Sequence, residues 1–96
     1  MNAAALALAE RIVARADRAH PADDLLRSEL KAQRGLSRDQ AREASRAVFA
    51  CFRWRGWLDL QSPLREQLQQ GLALAGRFHR HPASFSDAEL MARALP

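Results

Sequence analysis

The chain has 96 residues, fourteen of them Arg and only one Lys, against eleven acids, for a formal net charge of +4. That length allows one small core with little stability to spare. The single Cys51 excludes an internal disulfide, and no apolar run approaches the roughly 20 residues of a membrane span.

Ala, Leu and Arg dominate, Tyr is absent, and the only β-branched aliphatics are Ile12, Val13 and Val48. These are helix-forming residues, and the predicted fold class is all-α. The sequence pI near 10.9 favours an acidic partner, of which nucleic acid is the commonest. Ala3 to Ala9 is apolar but short and lacks a preceding basic region, so no signal peptide is expected and the predicted location is the cytoplasm.

The spacing predicts a first helix over 3–18. Ala5, Leu8, Ile12 and Ala16 recur on one face, widened by Leu6, Ala9 and Val13. Arg11, Arg15 and Arg18 form a stripe beside it. His20-Pro21 breaks the helix. Asp23 and Asp24 suit the start of a second helix over 22–34, which carries Leu25, Leu26 and Leu30 toward a core. Gly35 is placed to end it in a left-handed cap.

The central stretch, Ser37 to Leu60, is predicted as the longest helix. Ser37 and Gln40 match a capping box. Ala41, Ala44, Ser45, Val48 and Phe52 share one face, and Arg38, Arg42, Arg46 and Arg53 follow another, with Arg55 close behind. Gly56 is compatible both with a stop and with a mild irregularity, since Leu58 and Leu60 continue the apolar pattern. Ser62-Pro63 opens a further helix over 63–80, with Ser62 as the cap and Leu64, Leu68, Leu72 and Ala75 on one face. Leu74 and Phe78 lie beside them. Gly71 and Gly76 weaken this helix and permit close contact with a neighbour. After His81-Pro82, Ser86 and Glu89 fit a second capping box and Phe85 with Leu90 a hydrophobic staple, opening a helix to Leu95. A well-signalled helix start so near Pro96 reads as a domain cut from something longer. Short loops predict a compact bundle of about five helices.

Chemistry has little to work with in this pattern. His20, His79, His81 and Cys51 show no metal-ligand spacing. Cys51 lies in an apolar helix stretch with no His near it in sequence, so packing is the favoured role over nucleophilic catalysis. Neither GxGxxG nor GxxxxGK[ST] occurs. The remaining candidate is Arg53-Trp54-Arg55-Gly56-Trp57, where guanidinium groups pair with phosphates and indoles offer stacking platforms. Closing the core is the favoured role for at least one indole, and the sequence leaves the two Trp undecided between core and contact.

Residues 41–60, AREASRAVFACFRWRGWLDL, resemble the central helix of the NusB-like domain fused to RsmB/Sun/Fmu-type 16S rRNA cytosine-5 methyltransferases. In that family an L-S-x-x-x-R start precedes a run ending in R-x-x-x-x-L-D. Leu36-Ser37 to Arg42, and Arg53 to Leu58-Asp59, match it. Ala16-Asp17-Arg18-Ala19 looks like the end of the family's opening helix, and residues 82–96 look like its connector toward the catalytic domain. The resemblance implies a NusB-like domain over 1–82 and a connector helix over 83–96. It implies a non-catalytic role for this chain, in binding rRNA or docking on its own methyltransferase domain. S-adenosylmethionine is implied only for a parent protein, because the Gly-rich cofactor loop and the paired Pro-Cys and Thr-Cys motifs are absent here. No cofactor, metal or membrane partner is expected for these residues.

The expected function is thus an RNA-binding accessory domain. Its candidate contacts are Arg11, Arg15, Arg18, Arg38, Arg42, Arg46, Arg53 and Arg55. The alternative is a protein-interaction module docking on a catalytic domain or on a transcription or ribosomal factor. Its anchors would be Trp54, Trp57, Phe78 or Phe85. One continuous basic face favours RNA, whereas Arg interleaved with acids favours the alternative.

Overall fold

Good helix formers set at helical spacing need only caps and turns to define where each helix stops. The computed structural model describes residues 2–33 and 35–92. Among them the regular structure is entirely helical: α1 (Ala3–Arg15), α2 (Ala22–Ala32), α3 (Arg38–Arg53), α4 (Leu64–Arg80) and α5 (Asp87–Ala92), with short 3₁₀ turns at Arg55–Trp57 and Pro82–Ser84. The all-α fold class and the five helices agree with the sequence reading. The chain divides into two units, Met1–Val48 and Phe49–Pro96.

In the first unit, Asn2 caps α1, its Oδ1 accepting from the N–H groups of Ala4 and Ala5 at 2.8 and 3.3 Å. These are two of the donors a helix start leaves unsatisfied. The backbone N–H of Asn2 in turn donates to Glu43 Oε2 at 3.2 Å, tying the start of α1 to α3. Ala5, Leu6, Leu8, Ala9 and Ile12 are buried on α1, Leu25 and Leu26 on α2, and Ala44, Ala47 and Val48 on α3. α1 packs on α2. The predicted small residues early in α3 are indeed buried or half-buried, as close packing of backbones requires.

α1 stops at Arg15, three residues before the predicted end. Asp17 is the cause. Its carboxylate accepts the His20 backbone N–H at 2.7 Å, and its own N–H donates to the His20 carbonyl at 3.0 Å. A short polar side chain that offers the backbone such a turn competes with helix propagation. Gly35 does not form a left-handed cap, because no described glycine has positive φ. α2 ends instead through extended Gln33, whose N–H bonds to the Glu29 carbonyl at 2.9 Å.

In the second unit, the helix begun at Arg38 ends at Arg53 and does not run to Leu60. At 16 residues it is one shorter than α4. Trp54 leaves helical geometry at φ −100° and ψ 14°. The N–H groups of Trp57 and Leu58 then bond to the carbonyls of Trp54 and Arg55, at 2.9 and 3.2 Å, in the tighter 3₁₀ pattern. Gly56 lies inside this turn. Asp59 organises the loop into α4, its carboxylate accepting from the Gln61 N–H and from the Ser62 hydroxyl, each at 3.0 Å. The Ser62 hydroxyl is therefore engaged away from α4, and Pro63 takes the cap position without a side-chain hydrogen bond.

Trp54 is fully buried and sits among Trp57, Phe78 and Phe85, with ring centroids 5.6, 5.8 and 5.2 Å away. Such offset and edge contacts are the favoured aromatic geometry. The Arg77 guanidinium lies 4.4 Å over the Phe85 ring. Gly71 of α4 approaches the α3 backbone so closely that a Cβ there would stand 3.2 Å from Ala50 C and O and from Cys51 Cα. The second capping box forms as predicted, with the Glu89 N–H donating to Ser86 Oγ and the Ser86 N–H to Glu89 Oε1. Glu89 is held below its ordinary carboxylate value, mainly by that Ser86 backbone N–H. The predicted end of α5 at Leu95 lies outside the described residues.

Candidate nucleic-acid interface

The site begins with the α3 capping box. The Gln40 N–H donates to Ser37 Oγ at 3.1 Å, and the Ser37 N–H donates to Gln40 Oε1 at 2.9 Å. With its start fixed, α3 presents two faces. Ala44, Ala47, Val48, Ala50 and Cys51 face inward and are buried. Arg38, Arg42, Arg46, Phe49 and Arg53 are all exposed. At about 3.6 residues per turn, these five fall within an arc of about 80°.

Among the described residues no ion pair joins an acid to this stripe. Ion pairs among the described residues join Arg11 and Arg15 to Glu29 and His20 to Asp17. Asp39 and Glu43 belong to α3 yet make no ion pair with Arg38, Arg42, Arg46 or Arg53. Glu43 instead accepts the Asn2 backbone N–H. Four guanidinium groups therefore stand along one helix face with no ion pair to a carboxylate among the described residues. Arg53 also lies in the last turn of α3, where a cation complements the helix dipole.

The other candidate arginines separate from this set. Arg11 and Arg15 remain on one face of α1, but both reach Glu29, at 3.7 and 3.2 Å. Arg18 does not extend their stripe, since the Asp17–His20 turn removes it from the helix. Arg55 is exposed on the 3₁₀ turn beyond α3.

The aromatic roles that the sequence left open divide here, and Trp54 and Phe85 are not the exposed anchors that the protein-interaction alternative needs. Trp54 is a core residue, and the half-buried Trp57 donates its indole N–H to the Glu89 carbonyl at 3.1 Å. Phe85 is buried as well, and Phe78 is half-buried. The aromatic ring that does face outward is Phe49, at 51% exposure. Sequence reasoning passed over it, although its spacing from Arg38, Arg42 and Arg46 (eleven, seven and three residues) places it on their face.

Cys51 is buried, which pushes its thiol up from the ordinary value, with a smaller opposing pull from Arg55. A thiol kept neutral in this way is a poor nucleophile. Among the described residues no three His, Cys, Asp or Glu side chains converge as a metal site would need. No helix among them is long and apolar enough to cross a membrane. Searches of protein-family models, curated proteins and solved structures find no match to the chain.

Proposed function

We propose that this chain is a helical RNA-binding domain, non-catalytic by itself, whose contact surface is the outward face of α3. One observation carries the reading: Arg38, Arg42, Arg46 and Arg53 share that face and none is neutralised by an acid among the described residues. Guanidinium forks match phosphate oxygens in pairs, so such a stripe binds a polyanion backbone with little sequence reading. The resemblance of residues 41–60 to the NusB-like domain supports the more specific version. In it, the domain holds rRNA for an S-adenosylmethionine-dependent cytosine-5 methyltransferase to which it is fused in a parent protein. Arg11, Arg15, Arg18 and Arg55 are then peripheral contacts.

The test is fluorescence anisotropy on a structured rRNA fragment across a salt series. Four phosphate contacts give a log–log salt slope of about −3.6, a loss of roughly 150-fold between about 50 and 200 mM salt. Arg42→Ala, Arg46→Ala and Arg53→Ala combined leave one contact of the stripe, whose share of that loss is about 3.5-fold. Binding that is equal at both salt concentrations, or that ignores the triple substitution, overturns the proposal.

A further inference from the structure

We infer that Phe49 is a stacking platform for an unpaired base, so that α3 takes single-stranded RNA in preference to duplex; this rests on the RNA-binding reading of the same face. Single exposed apolar side chains are common on protein surfaces. Phe49 differs in its neighbours. Arg46 precedes it by three residues and Arg53 follows it by four, the two spacings that bring side chains together on a helix. Arg42 and Arg38 continue the same face. The ring is 51% exposed although the rest of its unit places Trp54 and Phe85 in the core.

That arrangement suits one occupant better than others. An apolar protein anchor closing over Phe49 would strip water from the flanking guanidinium groups without supplying charge, which is costly. A single strand supplies both needs at once. Its phosphates meet the arginines on either side, and an unstacked base covers the ring. A duplex offers the phosphates but keeps its bases inside the stack, so the ring gains nothing from it.

The experiment compares a labelled oligouridine with an RNA hairpin of equal phosphate number at one salt concentration. The proteins are the wild type, Phe49→Ala, Phe49→Leu, Phe49→Trp and the triple arginine variant, with helicity checked by circular dichroism. Phe49→Leu keeps the side chain apolar and similar in bulk, so it remains informative should the alanine variant fail to fold. We expect Phe49→Ala and Phe49→Leu to weaken oligouridine binding by about 5- to 150-fold. Hairpin binding changes less than about twofold and the salt slope holds, because no phosphate contact is lost. Phe49→Trp keeps or strengthens oligouridine binding. Equal losses on both RNAs overturn the inference. So does full oligouridine affinity in Phe49→Leu, which shows that no base stacks on the ring. If the triple variant weakens binding while Phe49→Ala does not, only this inference falls. If the triple variant binds both RNAs like the wild type, the RNA-binding reading falls with it.

Discussion

Two glycines in α4 should respond in opposite directions to the same substitution. Replacing a helix-interior Gly with Ala stabilises by about 0.5–1 kcal/mol through backbone entropy, if the added methyl finds room. At Gly76 the new Cβ would lie 3.0 Å from Arg80 Nη1, the tip of a flexible side chain that swings aside at little cost. At Gly71 it would lie 3.2 Å from three backbone atoms of Ala50 and Cys51. Helix backbone cannot step back alone, so α3 and α4 must separate by a few tenths of an ångström and loosen the contacts around Leu68 and Trp54. Overpacking of this kind costs roughly 1–3 kcal/mol and outweighs the entropic gain. Gly76→Ala should therefore raise the urea midpoint. Gly71→Ala should lower it, with the two variants about 1–3 kcal/mol apart. Equal stabilisation by both would refute the close approach of α4 to α3 at Gly71.

Ser37→Ala removes the hydroxyl that accepts the Gln40 N–H. It should cost about 1 kcal/mol in chemical denaturation, and an unchanged midpoint would mean the cap contributes nothing. Cys51, buried and with its thiol pushed up by burial, should react with a thiol-specific reagent only once denaturant opens the fold. Rapid labelling of the native protein at neutral pH would contradict its placement.

Local signals were legible wherever the deciding residues are neighbours in sequence. Both capping boxes, Ser37/Gln40 and Ser86/Glu89, form as their spacing predicts. His81-Pro82 ends α4 as expected, and Pro21 stands at the cap position of α2. Helix ends were harder, because they turn on side chains that pull against the helical pattern. Asp17 cuts α1 short by binding His20, and Asp59 draws Ser62 out of its expected cap. The site was half legible. The α3 arginine stripe follows from spacing alone, but the partnership of Glu29 with Arg11 and Arg15 spans two helices and needs the fold. The aromatic roles, left open between core and contact, turned on the same long-range packing. A cluster of four rings gathers Trp54, Trp57, Phe78 and Phe85 from three segments, and Phe49 is left outside it.

The placement of the indoles has a spectroscopic consequence. Both tryptophans of the chain belong to the unit Phe49–Pro96. Intrinsic emission thus watches one half of the molecule, with Trp54 dark to solvent and 5.6 Å from Trp57. Far-ultraviolet dichroism sums the helices of both halves. Melting curves from the two signals, laid over each other, need no label to distinguish a single cooperative transition from the independent melting of two halves.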